Sequence, residues 1–131
     1  MMGDGEERCS HRERGERREV KAGIRVSEGA VIVVCAASGV EVGTEQTWGY
    51  CEETQLPRFI FINKMDRENA DFTKAVQEVQ TKLGSKCVPL QLTIGAHTGF
   101  QGIIDLLNMK AYTGSDAKES EIPSEMKDQA D

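Results

Sequence analysis

Apolar and polar positions are unevenly distributed along the chain, and the elements follow from that distribution. Residues 1–19 (MMGDGEERCSHRERGERRE) have no periodic apolar face. Ordering them would cost entropy that no burial offsets, so they read as disordered or as a solvated charged helix. A short helical segment is expected over Val20–Val26, before the turn Ser27-Glu28-Gly29. Ala30–Ala36 (AVIVVCA) is a continuous, β-branched apolar run. Without alternation it reads as a strand covered on both faces, as in the middle of a parallel sheet. Ser38-Gly39 breaks it, and Thr44 is a candidate N-cap for a helix over about Glu45–Thr54, with Trp48 and Cys51 inward. Pro57 stops that helix, and Arg58–Ile62 (RFIFI) is a second apolar strand. Strand, helix and strand in close succession make a βαβ unit.

A further helix, capped by Asn69 or Asp71, has Phe72, Val76, Val79 and Leu83 on one face and Gly84 at its C-terminal end. Cys87–Ile94 (CVPLQLTI) is strand-like, but Pro89 suits an edge or a strand start better than a sheet centre. Ile103, Ile104, Leu106 and Leu107 fit either a short helix or a strand turning over on itself. Ile122-Pro123-Ser124-Glu125 resembles a helix start in an otherwise polar tail. No internal repeat is present.

Composition narrows the function classes. The 131 residues carry a net charge of −6, which argues against electrostatic gripping of nucleic acid. No apolar run approaches the roughly 18 residues a membrane helix needs, and the first residues have no apolar stretch to act as a secretory signal. Cys9, Cys35, Cys51 and Cys87 lie far apart without a CxxC, so they read as buried or idle thiols in a reducing cytosol. Apolar residues concentrate in about 90 residues between two charged ends, enough for one α/β unit and too few for a complete large nucleotide-binding domain.

The chemistry is concentrated at Asn63-Lys64-Met65-Asp66, directly after the second strand. Ligands of open α/β sheets sit outside the carboxyl ends of the strands. Guanine presents two adjacent donors, the ring imino N–H and the exocyclic amine. A fixed carboxylate at Asp66 can accept both, a bidentate pairing that adenine cannot form. Asn63 can offer its amide to a guanine ring acceptor and tie neighbouring loops together. The methylene stem of Lys64 can lie across the base. The competing reading is a loop cap, with Asp66 or Asn69 capping the next helix, Asn63 closing a turn and Lys64 solvated.

VSEGAVIVVCAASGVEVGTEQTW, LPRFIFINKMDRENADF and VPLQLTIGAHTGFQGIIDLLNMKAY together resemble the GTPase domain of bacterial translation elongation factor G, from about Glu19 onward. Asn63–Arg67 and Val88–Gly95 are the most specific parts, the latter resembling the opening of that factor's insertion subdomain. Ribosomal-protection and peptide-release GTPases look similar around Asn63–Asp66. The resemblance implies a partial P-loop-GTPase-like α/β fold: a parallel sheet of βαβ plus helix, with the start of an inserted α+β subdomain. With the charged, disordered segment at 1–19, it implies a partial GTPase domain at 20–86 carrying the guanine-recognition loop, and a truncated insertion subdomain at 87–131 in which Gly102–Tyr112 is extended. Asn63, Lys64 and Asp66, with Met65 between them, become the guanine-specificity residues. GTP or GDP becomes the ligand, the ribosome the partner and the cytoplasm the location, with no membrane and no sequence-specific nucleic-acid binding. In the intact factor, GTP hydrolysis on the ribosome is coupled to movement of transfer and messenger RNA.

The family's phosphate loop, GxxxxGK followed by Ser or Thr, does not occur here; Gly3-Asp4-Gly5 lacks both the spacing and the lysine. Residues 1–18 stand where the Asp-x-Pro-Gly-His switch belongs and do not match it, and the Mg²⁺ ligands of the intact family are absent. His11 is not expected to be the hydrolytic histidine, and His97 reads as a surface turn residue. No catalytic or metal-binding residue is therefore expected, and the chain alone is expected to be inactive. A non-enzymatic interaction module and an unrelated α/β binding domain are the alternatives.

Overall fold

The computed structural model describes residues 17–130, so the expectations for Cys9, His11 and the rest of residues 1–16 lie outside the described residues. Two compact units form, one of residues 17–32 with Val42–Phe61, the other of Val33–Glu41 with residues 62–130.

In the first unit, helix α1 spans residues 17–25, so Arg17–Glu19 are helical and exposed, and the disordered reading does not extend to them. Helix α2, Val42–Glu53, begins before the expected start, and Thr44 lies inside it rather than at its N-cap. Ile24, Ile32, Cys51 and Leu56 form the core, with Trp48 and Tyr50 packed against it. Two aromatic rings carry cations: Lys21 Nζ lies 4.4 Å from the Tyr50 centroid, and the Arg58 guanidinium 3.9 Å from that of Trp48.

Strand β1, Ala30–Cys35, pairs with strand β2, Arg58–Asn63. Ala30 N–H donates to Pro57 O and Ala36 N–H to Asn63 O, both at 2.9 Å, so the strands run parallel. The uniform apolar run conceals an alternating burial. Ile32 and Val34 are buried, whereas Val31 and Val33 are 65% and 58% exposed. On β2, Phe59 and Phe61 are 63% and 54% exposed. The expectation of cover on both faces is therefore corrected: β1 buries one set of side chains, β2 half-buries one, and both leave the other set exposed.

In the second unit, helix α3 spans Phe72–Lys82, and its N-cap is Asp71, whose Oδ1 accepts the Lys74 N–H at 2.9 Å. Ala75, Val79 and Leu83 are buried, while Phe72 and Val76 are half-buried. Leu83 and Gly84 N–H both close on Val79 O, ending the helix at the glycine, as expected. This helix also clamps the loop after β1. Glu78 Oε2 accepts the Val40 N–H at 3.0 Å and Lys82 Nζ donates to Val40 O at 3.2 Å, so both backbone groups of one residue are held. Gly39 has φ +72, and a Cβ there would collide with the Glu78 carboxylate.

The remaining strands are β3, Gln91–Ile94; β4, Gly102–Asp105; β5, Lys110–Thr113; and β6, Lys118–Ser120, in antiparallel order β3-β4-β5-β6. Pro89 falls before β3, itself an edge strand. Gly102–Tyr112 forms strands joined by a turn, as the family resemblance implies. Asp105 builds that turn, its Oδ1 accepting the Leu107 N–H at 2.9 Å and its Oδ2 the Asn108 amide at 2.7 Å. The Asn108 amide, with the Leu107 N–H, holds the Asp105 carboxyl below its ordinary pKa. Ile104, Ala111 and Ile122 form the core of this sheet, joined by Leu92, Ile94, Leu106 and Met126. After Ile122, a single turn at Ser124–Met126 leads into α4, Lys127–Ala130, at the expected helix start.

Candidate functional site

Asn63 is the last residue of β2, and its carbonyl accepts the Ala36 N–H from the end of β1. The chain then turns sharply. Lys64 has φ +62, a left-handed conformation that a residue other than glycine seldom adopts without support from its surroundings. Arg67 N–H closes on Lys64 O at 3.2 Å, Ala70 N–H on Arg67 O at 3.0 Å, and Asp71 N–H on Ala36 O at 3.3 Å. The support is apolar: Met65 is 7% exposed and packs with Ala36 and Ala70, flanked by Ile62, Phe72 and Phe100. Burying one side chain of four fixes the turn and leaves Asn63, Lys64 and Asp66 exposed around it.

The loop-cap reading fails at the position that would make it. Asp71 caps α3, while the Asp66 carboxylate and the Asn63 amide have no hydrogen-bond partner among the described residues. Both are thus available to a ligand outside the carboxyl end of β2. The tetrapeptide separates into three outward residues and Met65, the buried residue that holds them.

Two neighbours are not evident from the sequence. Cys35, at the end of β1, is partly exposed rather than buried, whereas Cys51 is buried. The Ser38 and Ala37 N–H groups and the Ser38 hydroxyl, helped by the charge of Lys64, hold its thiol below its ordinary pKa. The Ser38-Gly39 turn, beginning three residues beyond the strand, is the available signal. The second neighbour is the short turn His97–Gly99. His97 is exposed, as expected of a surface turn residue, but its Nδ1 lies 3.4 Å from Arg67 O, and the adjacent Phe100 packs on the Met65 cluster. Nothing local in residues 95–101 marks them as neighbours of a loop thirty residues upstream.

Among the described residues, no group of three or more His, Cys, Asp or Glu side chains is placed to hold a metal ion. No described helix is long and apolar enough to cross a membrane.

Comparison with known proteins gives this geometry its context. The sequence profile described as "Elongation factor Tu GTP binding domain" matches residues 17–127. A crystal structure of a protein from Thermus thermophilus is similar at a TM-score of 0.76 and 28% identity, covering 86% of this chain and 17% of that one. The chain thus spans about a sixth of that relative's length. The match extends across both the parallel strand pair and the four-stranded sheet, and on it the chain belongs to the elongation factor Tu GTP-binding domain family, that of the translational GTPases.

Proposed function

We propose that Asn63, Lys64 and Asp66 read a guanine base, and that this chain corresponds to the guanine-reading portion of an elongation-factor-G-like translational GTPase. One observation carries the reading: the loop buries Met65, leaves Asp66 and Asn63 unpartnered among the described residues, and gives the helix cap to Asp71. The Asp66 carboxylate accepts the imino N–H and the amine of the base. The Asn63 amide donates to a ring acceptor, and the Lys64 stem covers one face of the ring. In the intact factors this chain resembles, GTP binding and hydrolysis on the ribosome draw on a phosphate loop and switches that these residues do not supply.

Magnitudes set what the 131-residue chain does by itself. Good bidentate base contacts give roughly 1–3 kcal/mol each in protein–DNA readout. Association costs roughly 4–15 kcal/mol before any gain appears. Base contacts without a phosphate cradle leave the affinity weaker than about 1 mM, or about −4 kcal/mol. The chain therefore discriminates bases weakly and does not hydrolyse GTP. Asp66→Asn tests the assignment, because the new amide faces the extra carbonyl of xanthine. In NMR titrations the variant should lose its preference for GMP and favour XMP; retention of the GMP preference would overturn the reading.

A further inference from the structure

We infer that Phe100 is a positioning residue for the guanine-reading loop, and that through it the four-stranded sheet is coupled to base recognition; the inference rests on the reading of Asn63, Lys64 and Asp66 given above. Two donors on guanine must meet the two oxygens of Asp66 together, so base preference depends on how sharply the loop is held. The loop is held from behind. Lys64 stays at φ +62 because its neighbour Met65 is buried, and Phe100 is part of what Met65 is buried among.

Phe100 is itself fixed by the connection between β3 and β4. Gly99 N–H donates to Ala96 O at 2.9 Å, Phe100 N–H to His97 O at 3.2 Å, and Gln101 N–H to Ile94 O at 2.8 Å. Gly95, at φ +78, lets this connection fold back on itself, since a Cβ there would run into the Gly99 carbonyl. A second tie runs from the same connection: His97 Nδ1 faces Arg67 O at 3.4 Å. The connection thus meets the loop twice, through Phe100 against the cluster of Ala36, Met65 and Ala70 and through His97 at the backbone of the turn that follows Asp66. Anything that binds the β3–β4 end of the sheet and shifts this connection alters base affinity, and base binding alters affinity for that partner by the same factor.

The test is NMR titration of the full chain with GMP and with AMP, comparing wild type, Phe100→Ala, Phe100→Leu and His97→Gly. Phe100→Ala should weaken GMP binding roughly 3- to 10-fold. AMP binding should change less, so the GMP-over-AMP ratio falls, and Phe100→Leu should restore most of it. Amide shifts of Ile104 and Ala111 should stay in place, showing that the sheet is intact. A GMP affinity within about twofold of wild type in Phe100→Ala, or an equal loss for AMP, would overturn the positioning role. If Phe100→Ala does not fold, His97→Gly carries the test: a lowered GMP-over-AMP ratio supports the coupling, and an unchanged ratio refutes it. A wild-type chain with no preference for GMP over AMP fails one step earlier, refuting the guanine reading and the positioning role together.

Discussion

The parallel pair β1–β2 and the antiparallel sheet β3–β6 manage their apolar residues differently. The pair is apolar at nearly every position, yet Val31, Val33, Phe59 and Phe61 are exposed while Ile32 and Val34 are buried. The antiparallel sheet is poorer in apolar residues and places Ile104 and Ala111 at 0% exposure, with Ile122 closing over them. An antiparallel sheet can face water on one side, so four short strands and a short C-terminal turn complete a core by themselves. A parallel strand is built for cover on two sides, and its sequence carries the second apolar set whether or not cover is present. The lesson is that residue hydrophobicity reports the environment a strand is suited to, which can differ from the one it has.

The largest expected effect breaks this comparison most directly. Ile104→Ala should destabilise the fold by about 2–5 kcal/mol, as a cavity in a filled core does. Phe59→Thr removes a larger side chain and should change stability by no more than about 0.5 kcal/mol, because Phe59 already faces solvent. Denaturant midpoints of the two variants decide it, and equal losses would mean the outward side of β2 is covered in solution.

Glu78→Ala comes next. It removes the acceptor for the Val40 N–H in the loop after β1 and should cost about 1–2 kcal/mol, read as a lowered midpoint with an unchanged denaturant slope. Asp71→Ala deletes the α3 cap and should cost about 1 kcal/mol. That variant also separates cap from site: stability falls while GMP preference stays, whereas Asp66→Asn should do the reverse.

The smallest effects are ionic and sit on the antiparallel sheet. Asp105 has its pKa lowered in the fold, so its contribution is present above its ordinary value of 3.8 and disappears as pH falls through the folded value. Lys110, whose ammonium donates to the Glu119 carboxylate, has its pKa raised. Its contribution is present below its ordinary value of 10.5 and is lost as pH rises through the folded value. Side-chain NMR titrations should show both displacements, and Glu119→Gln should remove that of Lys110 alone.

Much of the fold was legible because local signals agreed. Two apolar runs bounded by Ser38-Gly39 and Pro57 gave the βαβ order, and the spacing of Phe72, Val76, Val79 and Leu83 gave α3. The start of α2 was misplaced because Thr44 is a good cap residue used inside a helix, and the cover of β1 was misjudged because Val31 and Val33 are as apolar as their buried neighbours. At the site, Asn63, Lys64 and Asp66 could be singled out by chemistry and position. Met65, grouped with the guanine-reading residues on sequence, is buried at 7% exposure, and Phe100 lies too far along the chain for any periodicity to connect it to the loop. Candidate ligand residues are marked by their chemistry; the residues packed behind them are marked only by packing.

Calorimetry of the 131-residue chain with GDP tests the central claim most directly, because it asks whether a base-reading loop suffices for nucleotide binding. The expected dissociation constant is weaker than about 1 mM, the range that base contacts alone support. A micromolar constant would contradict it and would mean that the phosphates are held by residues of this chain.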